Sequence, residues 1–102
     1  MVLCPATGEL LSYQILIEKS AKKGLRNAPC NVRNKFAIWV QLVELRGINE
    51  ARKIPGFHDE PLLGKRKGQR SIRLNKAWRA IYRESSGILN LVTIEEVSKH
   101  EY

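Results

Sequence analysis

Residues 61–83 carry eight basic side chains and no acidic one, an excess that points to a partner with many negative charges. If Ile72 and Leu74 of one strand, and Trp78, Ala80 and Tyr82 of the next, face a core, then the alternate residues lie on the opposite face. Those alternate residues include Arg73, Arg79 and Arg83. A guanidinium group binds two phosphate oxygens at once, whereas a surface that is only solvated more often mixes lysine with glutamate. The segment therefore predicts a surface for nucleic acid. An edge hairpin kept soluble by its charge is the alternative.

An acidic loop, His58-Asp59-Glu60, and the terminal His100 and Tyr102 add groups that could transfer protons beside those arginines. Cleavage of RNA without a metal ion needs a base for the 2′-hydroxyl proton, cations for the charge that develops at phosphorus, and an acid for the leaving 5′-oxygen. These residues supply candidates for all three. A simply exposed terminal side chain is the alternative for His100.

Other kinds of reactive site are not indicated. The sequence has no cluster of histidine, cysteine, aspartate or glutamate at spacings typical of metal ligands, and no nucleophile elbow. The segment GKRKG at 64–68 lacks the spacing of a phosphate-binding loop and does not open a helix. With only two cysteines, Cys4 and Cys30, the simplest expectation is a cytoplasmic protein whose thiols are reduced.

The chain has 102 residues, with 18 lysines and arginines against 10 acidic residues and a formal net charge of +8. This length suits one domain, which we expect to span residues 1–102 with 1–11 as a short N-terminal extension. An apolar fraction of 43% argues against disorder. No apolar run is long enough to cross a membrane, and the first residues lack the regions of a secretory signal.

The first half of the chain predicts one strand and two helices. Alternation from Tyr13 to Ile17 indicates a strand, and Ser20 is expected to cap a short basic helix, AKKGLRN, despite the weak helix former Gly24. Residues 32–45 predict a longer helix with two apolar stripes, which we expect to be buried over most of its circumference. The stripes are Val32, Phe36, Trp39 and Val43, and Ile38, Leu42 and Leu45. Contact of part of this face with a protein partner is the alternative.

The second half predicts a short helical turn and three strands. Gly47 ends the long helix, NEARKI adds one more turn, and a loop, PGFHDEP, follows. Residues 69–75 and 78–84 are expected to pair as strands, and 88–98 to form a last, interior strand. The order β-α-α-β-β-β predicts an α+β fold in which a helical hairpin packs on a mostly antiparallel four-stranded sheet.

The run EPLLGKRKGQRSIRLNKAWRAIYR, a final strand and the terminal KHEY together resemble the RelE/ParE superfamily of type II toxins. The nearest branches are the HigB-like and YoeB-like mRNA interferases, and the similarity covers about residues 12–102. The resemblance implies a RelE-like fold and a toxin that enters the ribosomal A site and cuts mRNA. It also implies a cognate antitoxin that neutralises the toxin by binding, and no cofactor.

The resemblance assigns roles to five residues. Arg79 matches the arginine beside the scissile phosphate, and Arg73 a second arginine on the preceding strand. Glu60 matches the general base of the YoeB-like branch, and His100 and Tyr102 resemble its C-terminal pair, in which the histidine is the general acid. One residue separates this pair here, so Tyr102 is alternatively placed to stack on a base.

A wider basic set is expected to dock ribosomal RNA and the mRNA backbone: Lys65, Arg66, Lys67, Arg70, Lys76 and Arg83. HigB-like members often carry a lysine where this chain has Leu63, and Lys65 or Lys67 is the candidate to replace it. Two other functions remain open. One is a gyrase inhibitor of the ParE type, which shares the fold; the other is a basic nucleic-acid-binding module without catalysis.

Overall fold

The computed structural model describes residues 14–85 and 91–99, which form a five-stranded sheet with helices on one face. The strands are β1 (Gln14–Ile17), β2 (Glu60–Pro61), β3 (Gln69–Arg73), β4 (Trp78–Ser85) and β5 (Leu91–Lys99). The helices are α1 (Lys19–Asn27), α2 (Cys30–Arg46) and α3 (Ile48–Arg52). Across the sheet the order is β1-β5-β4-β3-β2. Only the β1–β5 pair is parallel among these strands.

The α+β class is confirmed, as are the helical hairpin and the mostly antiparallel sheet, but the described sheet has five strands rather than four. The additional strand is β2, in a segment predicted to be loop, where Glu60 pairs with Ser71 and Pro61 with Arg70. Two residues are too few to show an alternating pattern, and a proline argues against a strand anywhere except at an edge, which is where β2 lies.

Helix α1 approaches the sheet more closely at Gly24 than a side chain would allow. A Cβ atom at this position would lie 1.8 Å from the carbonyl oxygen of Val97 in β5. The glycine that weakens the helix in isolation is therefore what lets α1 lie against β5. The predicted cap at Ser20 was wrong, because α1 begins at Lys19 and the Ser20 hydroxyl donates instead to the backbone carbonyl of Glu95 at 2.5 Å.

Helix α2 supplies the centre of the core. The predicted stripe of Val32, Phe36, Trp39 and Val43 is buried, and the Trp39 ring lies 5.1 Å from the ring of Tyr82 on β4. Opposite them in the core, Ile72 and Ala80 are cross-strand partners and Val92, Ile94 and Val97 come from β5.

The second predicted stripe of α2 is not buried as expected. Ile38 is 51% exposed and Leu45 is 82% exposed, while Leu42 is only partly covered. Because helical periodicity records which residues are apolar and not what lies against them, the prediction of burial around most of α2 was wrong. The described part of the chain leaves an uncovered apolar strip, defined here as Ile38, Leu42 and Leu45.

A glycine ends α2, and an asparagine forms the turn between β3 and β4. Gly47 has a φ of 89° and ends α2, and its N–H donates to the Val43 carbonyl before α3 supplies the predicted extra turn. Between β3 and β4 the Asn75 side chain accepts hydrogen bonds from the backbone N–H groups of Ala77 and Trp78. That turn fixes a register in which Arg73 lies opposite Arg79. β5 is an interior strand, as predicted; residues 88–90 of the predicted strand lie outside the described residues.

Candidate functional site

The face of the sheet opposite the helices carries a cleft of about 430 Å³. Alternate residues of β3, β4 and β5 point to this open face, since Ile72, Ala80 and Val97 between them point into the core. The β2 segment and the turn after it close one side. The lining residues are Glu60, Leu62, Arg66, Ser71, Arg79, Ile81, Glu96 and Ser98.

Arg79 is the less exposed of the two arginines that line the cleft. Its side chain is 20% exposed, and its Nη1 donates to the hydroxyl of the buried Ser71 at 3.2 Å. The same nitrogen lies 3.7 Å from Oε1 of Glu60, whose side chain is 59% exposed. An ion pair as open as this contributes little to stability, about 0–1 kcal/mol, so Glu60 and Arg79 can separate around a bound group. The predicted base and the predicted phosphate-binding arginine are thus neighbours.

Asp59, the residue before Glu60, is anchored on the helix side of the sheet. Its side chain is fully buried; Arg70 Nε donates to one carboxylate oxygen at 2.6 Å and the Tyr82 hydroxyl to the other at 2.5 Å. Burial raises the pKa of Tyr82, and the hydrogen bond to Asp59 adds to the rise, so Tyr82 stays a donor across the physiological range. Because Asp59 is held on both oxygens, the backbone that carries Glu60 into the cleft is held as well.

Arg52 of α3 extends this network. Its Nε lies within hydrogen-bond distance of the Tyr82 oxygen, at 3.4 Å, and its Nη2 donates to Glu84 at 2.5 Å. Helix α3, strand β4 and the loop before β2 are therefore joined by polar contacts at the edge of the core.

The network also separates Arg70 from the arginines of the open face. Arg70 is the cross-strand partner of Tyr82, so its side chain lies on the helix side of the sheet, while Arg73 and Arg79 lie on the open face. The cleft does not include Arg70 among its lining residues. The structure thus assigns it a contact with the buried Asp59, and its proposed contact with RNA stays an untested prediction.

Acidic residues of β5 share the open face with the arginines. The sequence pattern did not predict these acidic residues there. Arg66 Nη2 lies 3.4 Å from Glu96, and Arg83 Nε lies 3.4 Å from Glu95. The expectation from β3 and β4 alone was a face of arginines. A visible signal was the pair of adjacent glutamates between Ile94 and Val97, which breaks the alternation of a regular strand.

The remaining predicted site residues that the structure describes do not line the cleft. Lys65, Lys67 and Lys76 are exposed in turns, and Arg73 is partly buried on the open face opposite Arg79. Leu63 is exposed, at the start of the turn that carries Lys65. His100 and Tyr102 lie outside the described residues.

A second concavity, of about 330 Å³, lies on the helix side beside the apolar strip of α2. Leu42 belongs to both features. The other lining residues include Ala51, Ile54 and Pro55 with the charged Arg46, Glu50 and Lys53. This arrangement of an apolar floor with a charged rim is typical of a surface that contacts another protein.

Two further findings concern the described residues. Within 14–85 and 91–99, no three side chains of histidine, cysteine, aspartate or glutamate lie close enough together to hold a metal ion. None of the helices in these ranges has the length and apolarity needed to span a membrane.

Comparison with solved structures identifies the architecture. The Escherichia coli DinJ–YafQ toxin–antitoxin complex contains a chain that matches with a TM-score of 0.63 and 21% identity, over 86% of this chain and 92% of that one. The fold is that of the RelE/ParE superfamily toxins. A YoeB/ParE toxin from Agrobacterium tumefaciens matches with a TM-score of 0.65 and 17% identity, over 86% and 99% of the two chains.

The RelE–RelB complex of Pyrococcus horikoshii contains a chain that matches this RelE-like fold with a TM-score of 0.66 and 21% identity. That match covers 86% of this chain and 94% of the archaeal one. No protein-family model and no curated protein sequence matches the chain. The likeness therefore lies in the architecture, and the function has to be argued from this chain's own residues.

Proposed function

We propose that this RelE-like protein is the toxin of a type II toxin–antitoxin system and that it cleaves mRNA in the A site of the ribosome. The observation that carries the proposal is the pair of Arg79 and Glu60 in the open-face cleft, 3.7 Å apart and contributed by two different strands. A fixed guanidinium beside an accessible carboxylate supplies two of the three groups that metal-independent RNA cleavage requires, the cation and the base.

In this mechanism the Glu60 carboxylate takes the proton of the 2′-hydroxyl, and the 2′-oxygen attacks phosphorus. The guanidinium groups of Arg79 and Arg73 stabilise the negative charge on the phosphate oxygens as the bond to the 5′-oxygen breaks. His100 gives that oxygen its proton, a role assigned from the resemblance alone. The products are a 2′,3′-cyclic phosphate and a free 5′-hydroxyl.

The position of Arg79 suits this role physically. Its hydrogen bond to the Ser71 hydroxyl restricts the side chain, so little freedom is lost when a phosphate binds. Its partner Glu60 is largely exposed, so a phosphate of the RNA can replace the Glu60 carboxylate beside Arg79. Lys65, Arg66, Lys67, Lys76 and Arg83 would hold the RNA backbone around this centre, as point contacts that add affinity without choosing the bond to be cut.

Inducible expression in bacteria tests the proposal directly, with mRNA 5′ ends mapped by primer extension. The wild-type chain is expected to arrest growth and to produce cuts in phase with codons. Glu60→Gln is expected to lower cleavage about 10²–10⁴-fold as the loss of a base, and Arg79→Ala about 10²–10³-fold as the loss of a charge-stabilising group. The matched control is Arg26→Ala, which removes an exposed arginine from α1 and leaves the cleft intact.

The outcomes separate the competing functions. Cuts that persist in Arg79→Ala would contradict the assigned site, and cleavage of naked mRNA without ribosomes would contradict ribosome dependence. Growth arrest without mRNA cuts would move the assignment to gyrase inhibition. Neither arrest nor cuts from soluble wild-type protein would favour a binding module.

The proposed partner, besides the ribosome and mRNA, is an antitoxin protein with an acidic, amphipathic segment. The uncovered strip of Ile38, Leu42 and Leu45 borders the 330 Å³ concavity and offers it an apolar surface. Arg46 and Lys53 at the rim, with the net charge of +8, favour an acidic binding segment. A stable complex would bury roughly 1,000–2,000 Å² or more, so the contact would extend well beyond this strip.

A further inference from the structure

A β-bulge in β5 changes the charge of the open face. Ile81 of β4 pairs with Glu96, but the next residue, Tyr82, pairs with Ile94, so Glu95 has no partner in the ladder. Ile94 and Val97 are both buried in the core. Both glutamates between them therefore point away from the core, whereas in a regular strand only one of the two would do so.

Each of these glutamates is paired with an arginine predicted to bind RNA. Glu96 faces Arg66, and its other carboxylate oxygen accepts a hydrogen bond from the Ser98 hydroxyl at 2.8 Å. Glu95 faces Arg83, and its other oxygen accepts from Gln69 Nε2 at 2.5 Å. The side-chain contacts with Ser98 and Gln69 hold both carboxylates on the open face, where Glu96 lines the cleft.

The two ion pairs are arranged so that a phosphate could replace the carboxylate. In each pair the arginine nitrogen and carboxylate oxygen are 3.4 Å apart, longer than a strong charge-assisted hydrogen bond, and the arginines are about half exposed. Such pairs are weak because water screens them. A carboxylate and a phosphate also make the same kind of contact with a guanidinium group.

We infer that Glu95 and Glu96 act as internal counterions that occupy Arg83 and Arg66 in the free protein and weaken its binding to RNA in general. The inference rests on the proposed function, because it concerns RNA bound at the same cleft. RNA that is free in solution must displace the glutamates from the arginines and then lie beside their negative charge, which lowers its affinity. RNA that further contacts hold in place, as on the ribosome, can still displace the glutamates. The glutamates are thus selectivity residues and take no part in bond cleavage.

The variants Glu95→Gln and Glu96→Gln test the inference, because glutamine has the same shape and keeps one oxygen acceptor. Binding to a fluorescein-labelled single-stranded RNA would be measured by anisotropy between 50 and 200 mM salt. Each variant is expected to bind about 1.5- to 5-fold more tightly than wild type, the equivalent of one exposed ion pair. The slope of log K against log salt should become steeper by about 0.7 for each arginine released.

Glu50→Gln is the matched control, since it removes the same charge from another exposed ion pair, with Lys53 on α3. It is expected to leave the affinity and salt slope close to those of wild type. Adding Arg66→Ala to Glu96→Gln should abolish the gain, because the released cation is then absent. Equal melting temperatures of all variants would show that the fold is unchanged.

RNA affinity and mRNA cleavage distinguish a failure of the inference from a failure of the proposed function. If wild type binds RNA and cuts mRNA but the β5 variants bind no more tightly than Glu50→Gln, the counterion role is wrong and the proposed function stands. If neither wild type nor the β5 variants bind RNA, the inference is overturned. If the wild-type protein also fails to cleave mRNA, the proposed function is overturned as well.

Discussion

Replacing Gly24 by alanine should destabilise the protein, although alanine is the better helix former. Gly24 lies inside α1, where the exchange would by itself stabilise a helix by about 1 kcal/mol. In the structure, however, the new Cβ would lie 1.8 Å from the Val97 carbonyl oxygen and 2.8 Å from the carbonyl carbon. These are backbone atoms of the interior strand β5, and they cannot rotate away as a side chain could.

The size of the effect follows from the displacement required. Cβ atoms essentially never approach another heavy atom within 3.0 Å, so α1 and β5 must separate locally by at least about 1.2 Å, the difference between 3.0 Å and 1.8 Å. Ala21, which lies on α1 one turn earlier and is fully buried, would lose contacts as the helix moves. Forced overpacking of this kind costs about 1–3 kcal/mol and occasionally more. Because the clash is with backbone atoms, the cost should lie at the upper end of this range, and subtracting the propensity gain of about 1 kcal/mol leaves an expected net loss of about 2 kcal/mol.

Urea unfolding followed by tryptophan fluorescence measures this loss, since Trp39 is buried and Trp78 is partly buried. Gly56→Ala is the control, because the nearest atom to its new Cβ would be Lys35 Nζ at 3.9 Å, an ordinary contact. Gly24→Ala should lower the free energy of unfolding and Gly56→Ala should leave it within about 1 kcal/mol of wild type. A Gly24→Ala protein as stable as wild type would refute the close approach of α1 to β5.

Three further predictions concern the buried network and the apolar strip. Because burial and the hydrogen bond to Asp59 raise the pKa of Tyr82, unfolding releases a proton above the ordinary tyrosine pKa of about 10. The stabilisation is therefore complete below about pH 10 and is lost as pH rises towards the raised value. Urea unfolding between pH 8 and 11 should show an alkaline decline of up to ~1.4 kcal/mol per pH unit that Tyr82→Phe lacks; equal declines would contradict the burial of this hydroxyl. Asp59→Asn should cost about 1.5–3 kcal/mol in the same assay, because it removes the charge opposite Arg70, and an unchanged stability would show that the network is not formed. Leu45→Ser should leave stability within about 0.5 kcal/mol of wild type, because the side chain is exposed, but should weaken binding of the proposed antitoxin in calorimetry. The equally apolar and exposed Leu63 gives the control Leu63→Ser, and equal weakening by both would argue against the strip as the contact surface.

The sequence predicted the elements that have strong local patterns. The buried stripe on α2 repeats with the period of a helix, and the basic hairpin alternates with the period of a strand, so both were found at nearly their observed positions. The resemblance carried by residues 60–83 also pointed to the observed architecture. Elements without a periodic signal were missed, as the two-residue strand β2 illustrates.

The candidate site was predictable in part. Residue types pointed to the acidic loop and the arginines, and the resemblance gave Glu60 and Arg79 separate roles; the structure places Arg79 Nη1 3.7 Å from Glu60 Oε1. Nothing in the spacing of the preceding loop separates the two neighbouring acids. Asp59 turns into the protein to Arg70 and Tyr82, while Glu60 turns out to the cleft, and the pairing of β2 with β3 makes that division.

Local chemistry in the sequence determines which longer segments favour a helix or a strand, which of their faces are apolar and where positive charge collects, because these properties depend on neighbours along the chain. Tertiary structure alone decided which apolar faces were covered, which cations gained an acidic partner and why a glycine stands within α1. Each of those results depends on residues far apart in sequence: Gly24 against Val97, Arg66 against Glu96, and Asp59 against Tyr82. Such contacts are set by strand register and by the distance between layers, which a single sequence does not display.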